Sequence, residues 1–204
     1  KEGLYVQIGK EVDDKYIAAL KSQVKHQDAI DAMQKDIKIV YTPLHGTGNI
    51  PVRRVLKELG FENVYVVKEQ ELPDGDFPTV SYPNPESKEA FELAVKMGNE
   101  INADILLATD PDADRLGVYV RDDKTGEYHV LTGNMSGCLL AEYEISQMKE
   151  AGQLPDDAAL IKTIVTTNLA NDIAKYYNVR LIEVLTGFKY IGEQILNFET
   201  TKKG

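Results

Sequence analysis

Short β-rich runs alternate with helical segments along this chain of 204 residues, and this alternation most constrains its fold. The predicted strands are 37–41, 63–67, 103–109, 159–165 and 179–185, and the predicted helices are 50–60, 87–98, 134–150, 168–177 and 188–197. Strands that alternate with helices of 10–15 residues indicate parallel sheets covered by helices. We therefore predict an α/β fold made of two tandem, similar α/β domains with mixed, mainly parallel sheets and helices packed on them.

The boundary between the two domains is expected near residues 120–130. There the stretch "RLGVYVRDDKTGEYHVLTG" predicts two strands around a Lys-Thr-Gly turn. We assign 1–125 to the first domain and 126–204 to the second. Upstream of the first strand, an imperfect apolar stripe predicts a helix over 13–33. The segment 68–86 contains four prolines and an Asp-Gly pair, which predicts an irregular loop.

The charge balance of the chain limits its partners. The formal net charge is −10, which argues against nucleic acid or an anionic membrane surface, because both require a basic face. An anionic substrate would have to be held by a few local cations. Cys138 is the only cysteine, which favours a reducing compartment. No apolar run approaches the roughly 18 residues that span a bilayer. The start, "KEGLYVQIGK", lacks a signal-peptide core. We therefore expect a cytoplasmic protein, and the two chain ends suggest a piece of a longer one.

An unusual cluster of carboxylates follows the strand 103–109. The stretch "LLATDPDADRLG" places Asp110, Asp112 and Asp114 at alternate positions. Ligands of parallel α/β folds bind beyond the carboxyl ends of strands. A hard divalent cation such as Mg²⁺ or Ca²⁺ would relieve the repulsion between these carboxylates. Zinc is disfavoured because no cysteine or histidine lies nearby in the sequence. The simpler alternative is a solvated acidic turn.

An EF-hand does not fit this loop. Counted from Asp110, the sixth position is Arg115 instead of glycine, and the twelfth is Arg121 instead of glutamate. Arg115 could form only a salt bridge with the aspartates. A metal ion beside a guanidinium is, however, suited to hold and neutralise a phosphoryl group.

Four stretches together resemble the α-D-phosphohexomutase family, and within it the phosphoglucomutase branch. They are "TPLHGTGNIPVRRVL" at 42–56, "FPTVSYPNPE" at 77–86, "TDPDADR" at 109–115 and "LTGFKYIGEQI" at 185–195. The third resembles the magnesium loop of that family, usually written DGDxDR. Pro111 replaces the glycine of many members, as in the phosphoglucomutase and phosphopentomutase-like branch. The resemblance spans essentially the whole chain.

The resemblance implies a central part of a four-domain enzyme. In that family the first domain supplies a phosphoserine within a Ser-His-Asn-Pro type motif, the second the metal loop, the third the sugar-reading loops and the fourth a phosphate clamp. This chain resembles domain II and an incomplete domain III, and domains I and IV would be its partners. The implied reaction interconverts glucose 1-phosphate and glucose 6-phosphate, with Mg²⁺ as cofactor and glucose 1,6-bisphosphate as activator and intermediate. The chain alone is expected to be inactive, because it contains no Ser-His-Asn-Pro stretch.

The resemblance also suggests roles for particular residues. Asp110, Asp112 and Asp114 match the magnesium ligands, and Arg115 matches the catalytic arginine that contacts the phosphorylated centre. The residues that match substrate-binding positions of domain III are Lys162, Thr186, Gly187, Phe188 and Lys189. By spacing alone, "TGFKY" is more simply explained as a glycine turn before an amphipathic helix, with Phe188 in the core.

Two questions stay open on the sequence. His45, in "PLHGTGN", could be a general base, although a structural role in a strand-to-helix turn with the neighbouring glycines is the simpler interpretation. The activity could also be of the phosphopentomutase, phosphomannomutase or phosphoglucosamine mutase type. A non-catalytic module that binds Mg²⁺ or a sugar phosphate is the alternative from another class of protein.

Overall fold

A computed structural model describes residues 3–201 of the chain. The chain divides into two compact units, Lys1–Thr132 and Gly133–Gly204, called here the first and the second unit. The predicted domain boundary between residues 125 and 126 stays a prediction. Residues 1–2 and 202–204, on which the expectation of a longer protein partly depends, lie outside the described residues.

The first unit contains one five-stranded sheet and four α-helices within its described part. Its elements are α1 (Lys10–Lys21), α2 (Gln27–Met33), β1 (Lys38–Thr42), α3 (Asn49–Glu58), β2 (Asn63–Val66), a 3₁₀ turn (Lys68–Gln70), α4 (Lys88–Ile101), β3 (Ile105–Thr109), β4 (Leu116–Arg121) and β5 (Tyr128–Leu131). The strand order is β2-β1-β3-β4-β5. β1 is parallel to β2 and β3, whereas β4 is antiparallel to β3 and β5.

The parallel pair β1 and β3 places two loops side by side. Thr42, the last residue of β1, lies opposite Ala108 near the end of β3. Parallel strands end at the same edge of a sheet, so the connections 43–48 and 110–115 begin next to each other. This register brings together two of the sequence motifs that are 60 residues or more apart in the chain.

The core of the first unit lies between α4 and the sheet. α4 buries Ala90, Phe91, Ala94 and Gly98 on one face. The Phe91 ring stacks on the ring of Tyr119 in β4, with centroids 4.2 Å apart. Ser87 caps the helix by accepting a hydrogen bond from the Ala90 N–H. This packing fixes β4, and with it the position at which the 110–115 connection returns to the sheet.

The prediction of one helix over 13–33 is wrong. The chain forms α1 from Lys10 to Lys21 and then α2 from Gln27 to Met33. The N–H groups of Gln23 and Val24 bond three residues back, to the carbonyls of Leu20 and Lys21, which tightens and ends the first helix. Of the two helices, α1 buries only Ile17 and α2 buries no residue, so no continuous apolar face supports a longer helix.

The second unit has the same alternation of helices and strands. Its elements are α5 (Gly133–Glu150), β6 (Ala159–Thr163), α6 (Leu169–Tyr177), β7 (Arg180–Val184) and α7 (Phe188–Thr201). β6 and β7 pair in parallel. The predicted α/β class with mixed, mainly parallel sheets is confirmed. Within residues 3–201, no helix combines the length and the apolar character that a membrane crossing requires.

Gly117→Ala is expected to destabilise the first unit, because β4 passes close to the 77–86 segment there. An added Cβ would overlap the Pro85 carbonyl oxygen and lie 2.8 Å from the Phe91 ring. We expect a loss of at least about 2 kcal/mol in the free energy of unfolding, measured by urea titration with far-UV circular dichroism. Gly75→Ala is the matched control in the same unit, because its Cβ would meet open space. Equal stabilities of the two variants would contradict the close packing at Gly117.

Candidate metal site

The connection 110–115, called here the metal loop, gathers three carboxylates at the carboxyl end of β3. One carboxylate oxygen from each of Asp110, Asp112 and Asp114 lies within 4.8 Å of the others. Asp110 is buried, and Asp112 and Asp114 are exposed. Within residues 3–201 no other group of three or more acidic, histidine or cysteine side chains converges in this way.

Arg115 fixes the buried member of the three. Its backbone N–H donates to Oδ1 of Asp110 at 2.9 Å, and its Nε donates to Oδ2 at 2.7 Å. The same Nε lies 3.7 Å from Oδ1 of Asp114. The Arg115 side chain is held by Asp110 and remains 49% exposed.

The pKa values of the aspartates reflect this arrangement. Burial alone would raise the pKa of Asp110, but hydrogen bonds from the backbone and side chain of Arg115, together with its charge, outweigh burial and lower the pKa. The pKa of Asp114 is raised, first by its hydrogen bond to Asp110 and then by the charges of Asp112 and Asp110. Arg115 therefore stabilises the charged form of Asp110, whereas the neighbouring negative charges disfavour the charged form of Asp114.

The donor set fits a hard divalent cation. All three groups offer carboxylate oxygens, which Mg²⁺ and Ca²⁺ prefer. The raised pKa of Asp114 shows that Arg115 does not fully neutralise the cluster, so a further positive charge would be stabilised there. Ala113 has φ of 60°, in the left-handed region, and its N–H bonds to the Asp110 carbonyl. That tight turn directs the alternate side chains to a common point.

The connection 43–48 is hydrogen-bonded to the metal loop. Thr47 donates to the Pro111 carbonyl oxygen twice, from its backbone N–H at 2.8 Å and from its hydroxyl at 3.1 Å. A Cβ on Gly46 would lie 2.5 Å from the same oxygen, and one on Gly48 would lie 2.6 Å from the Thr109 hydroxyl. Both positions therefore require glycine for the two loops to touch.

His45 is part of a buried polar chain and does not face a reacting group. Its Nδ1 donates to the Leu72 carbonyl at 3.2 Å, because that oxygen can only accept, and its Nε2 is hydrogen-bonded to the Thr79 hydroxyl at 2.9 Å. Thr79 also accepts from Nε2 of Gln70, whose amide oxygen accepts from Thr42. Both ring nitrogens are used, which supports the structural interpretation of His45 in the strand-to-helix turn.

The predicted residues of the second unit gather at one edge of its sheet. Lys162 is buried, and its Nζ lies 2.8 Å from Glu183 of β7 and 3.1 Å from the Thr166 carbonyl. β6 and β7 are parallel, so the segment 186–189 that follows β7 lies at the edge where β6 also ends. Lys162 is thus paired within its own unit, and its contact with a substrate stays a prediction.

Phe188 does not lie in a core. Its side chain is 76% exposed at the first residue of α7, so the simpler explanation of "TGFKY" with Phe188 buried is wrong. Gly187 has φ of 131°, which only glycine adopts readily, and its carbonyl accepts from the Tyr190 N–H. The Lys189 ammonium lies 4.9 Å from the Tyr190 ring centroid. The turn therefore presents Phe188 to solvent.

Sequence reasoning missed the residues that support the metal loop. Tyr41 bonds to Thr109 through their hydroxyls at 2.8 Å, and Thr47 bonds to Pro111. The glycines on both sides of Thr47 were the available signal, since two glycines beside a strand end indicate close backbone approach. The partner of that approach could not be read from spacing, because it lies 64 residues away.

Comparison with known families places both units in one group of proteins. Residues 14–126 match the description "Phosphoglucomutase/phosphomannomutase, alpha/beta/alpha domain II", and residues 132–201 match "Phosphoglucomutase/phosphomannomutase, alpha/beta/alpha domain III". The two matches together cover all the described residues except 3–13 and 127–131.

Individual relatives agree with this match. The chain is 42% identical over 170 residues to a phosphoglucomutase of Staphylococcus epidermidis, covering 83% of this chain and 30% of that protein. It is 40% identical over 189 residues to a probable phosphomannomutase of Haemophilus influenzae, covering 93% and 36%. A putative phosphomannomutase structure from Thermus thermophilus superposes with a TM-score of 0.70 at 22% identity, covering 96% and 40%, which supports the fold. The chain thus spans about a third of the length of these curated relatives.

Thr79→Val is expected to break the polar chain that supports His45. It would leave Nε2 of His45 and Nε2 of Gln70 without their present partner while preserving side-chain volume. We expect a loss of about 1–3 kcal/mol in the free energy of unfolding, measured by urea titration. Thr79→Ser keeps the hydroxyl and should recover most of that loss. A Thr79→Val protein as stable as the wild type would argue against a structural role for the chain.

Proposed function

This chain belongs to the phosphoglucomutase/phosphomannomutase family, and we propose that it forms domains II and III of a phosphoglucomutase. The longer enzyme would interconvert glucose 1-phosphate and glucose 6-phosphate through a phosphoserine and a glucose 1,6-bisphosphate intermediate. The observation that carries this proposal is the convergence of three carboxylates on one point with Arg115 attached to the buried one. Domains I and IV would be supplied by the rest of a longer chain.

In this proposal Asp110, Asp112 and Asp114 hold Mg²⁺ at the end of β3. Mg²⁺ bound there supplies Lewis-acid polarisation of a phosphoryl oxygen. The carboxylates are already directed to one point, so little reorganisation is needed when the ion binds. The phosphoserine would come from domain I, since this chain has no Ser-His-Asn-Pro stretch.

Arg115 is the proposed catalytic residue of this unit. Asp110 engages its Nε, which fixes the direction of the guanidinium without covering the half-exposed side chain. A planar guanidinium can then donate two parallel hydrogen bonds to a phosphoryl group. Arg115 would orient that group and neutralise part of its charge during transfer.

The second unit is proposed to bind the sugar phosphate. Thr186, Gly187, Phe188 and Lys189 form an exposed turn at the start of α7, where a helix N-terminus favours an anion. The exposure of Phe188 supports a contact with ligand or partner domain. Lys162 is the most buried of the proposed residues of the second unit, and its ammonium is already paired with Glu183.

Phosphomannomutase activity is the second candidate. It is favoured by the 40% identity with the probable phosphomannomutase of Haemophilus influenzae, which covers more of this chain than the phosphoglucomutase match does. The same residues of the metal loop are proposed for either activity, and the two proposals differ in the sugar. A cytoplasmic location is also proposed, supported by the single cysteine.

Asp112→Asn is expected to weaken binding of Mg²⁺ or Mn²⁺ by at least about 10-fold, measured by calorimetry on the 204-residue chain. The change removes one of three carboxylate ligands and keeps the size of the side chain. Asp123→Asn is a matched control, because this aspartate lies in the β4–β5 turn, at the other end of β4. Unchanged affinity in Asp112→Asn would remove the three aspartates from any metal site.

A chimaera tests the mutase function directly. The matching segment of the Staphylococcus epidermidis phosphoglucomutase would be replaced by this chain. With glucose 1,6-bisphosphate present, we expect conversion of glucose 1-phosphate to glucose 6-phosphate, followed by a coupled dehydrogenase assay. Asp112→Asn in the chimaera should lower kcat by about 100-fold or more. Mannose 1-phosphate as substrate distinguishes the second candidate.

The isolated chain is the complementary sample in the same assay. We expect no turnover from it, because it has no phosphoserine motif. A folded chimaera without mutase activity would contradict the proposed function. Turnover by the purified chain alone would contradict the assignment of the nucleophile to another domain.

A further inference from the structure

Asp112 differs from the other two aspartates of the metal loop. Asp110 accepts two hydrogen bonds from Arg115, and the Nε of the same guanidinium lies 3.7 Å from Oδ1 of Asp114. Within residues 3–201, the Asp112 carboxylate accepts no hydrogen bond and forms no ion pair, and it is exposed. Its direction is therefore set by the backbone on which it is carried.

The backbone immediately before Asp112 is anchored from outside the loop. The peptide group between Pro111 and Asp112 carries the carbonyl oxygen that accepts both hydrogen bonds from Thr47. Two donors on one carbonyl fix the orientation of that peptide plane, and the ring of Pro111 fixes the φ angle of that residue, which immediately precedes the plane. The plane in turn determines where the Asp112 side chain leaves the chain.

Thr47 is itself held on a rigid support. Leu44 and His45 have φ of 46° and 61°, and the buried polar chain through His45 keeps this part of the connection in its left-handed conformation. Gly46 and Gly48 allow the connection to touch the metal loop without a clash. The backbone on both sides of Thr47 is therefore held in place by hydrogen bonds and close packing.

We propose that Thr47 is a positioning residue for metal binding, which acts by holding the Pro111–Asp112 peptide so that Asp112 faces Asp110 and Asp114. This inference depends on the proposed function, because it assumes that the three aspartates bind a divalent cation. It adds that the connection 43–48, which contributes none of the three carboxylates, influences the affinity of the site. A residue in the second layer around a metal commonly changes affinity in this way.

The test compares Mn²⁺ affinity with stability in the metal-free chain. Thr47→Val preserves shape and the backbone N–H but removes the hydroxyl donor, and we expect the Mn²⁺ dissociation constant to rise by about 3- to 10-fold. Thr47→Ser should remain within about 2-fold of the wild type, because it restores the donor. Melting temperatures in excess chelator should agree among the three proteins. Thr125→Val, at an exposed threonine in the β4–β5 turn, is the matched control and should leave the Mn²⁺ affinity unchanged. Thr47→Ala is the second variant if Thr47→Val does not fold.

The outcomes separate this inference from the proposed function. If Asp112→Asn loses Mn²⁺ affinity while Thr47→Val and Thr47→Ala keep it, the metal site stands and the role of Thr47 is refuted. If Thr47→Ser is as weak as Thr47→Val, or if the affinity loss is matched by a fall in metal-free stability, the role is also refuted. If the wild type does not bind Mn²⁺ at millimolar concentration, or Asp112→Asn binds as tightly as the wild type, the metal centre fails and the inference fails with it.

Discussion

The pairing of Asp110 with Arg115 is the interaction on which the candidate site depends. A buried carboxylate without a partner would be strongly destabilising, so Asp110 can lie at the end of β3 only because Arg115 donates to both of its oxygens. This pair closes the metal loop into a turn of six residues, 110–115. Closing the turn brings the alternate side chains of Asp112 and Asp114 close to Asp110. The repulsion that results is a consequence of the fold and is not relieved by any side chain other than Arg115 among the described residues.

The topology of the sheet explains why a second loop supports the first. β1 and β3 are adjacent and parallel, and their ends are in register, so the connections that follow them must share space. Gly46 and Gly48 allow that contact because a Cβ at either position would clash with neighbouring atoms. The hydroxyls of Tyr41 and Thr109 tie the two strand ends together directly beneath the loops. The site is therefore built from two strand ends and not from one motif.

Sequence could predict the order of elements and the cluster of aspartates, because both depend on local patterns. The alternation of strands and helices and the spacing of Asp110, Asp112 and Asp114 required no knowledge of distant contacts. The break between α1 and α2 was not predictable from the apolar stripe, because it depends on how little of that stripe is buried. The contact of Thr47 with Pro111 was hidden for a different reason, since it follows from the register of β1 and β3. The exposure of Phe188 likewise depends on what packs on α7.

The charge of the metal loop explains how an acidic chain would accept the anionic substrate that is proposed for it. At about 0.1 M ionic strength, charges more than about 10 Å apart are largely screened, so the net charge of −10 matters less at the site than the groups of the loop itself. Counted with every carboxylate and the guanidinium charged, the loop carries two net negative charges, which a single divalent cation would cancel. Without the cation, the net negative charge of the loop would repel a phosphoryl group. With the cation bound, that charge is cancelled, and the half-exposed guanidinium of Arg115 can donate hydrogen bonds to the phosphoryl group. On this argument the cation and the arginine are not two independent aids to phosphate binding, because the second is effective only when the first is bound.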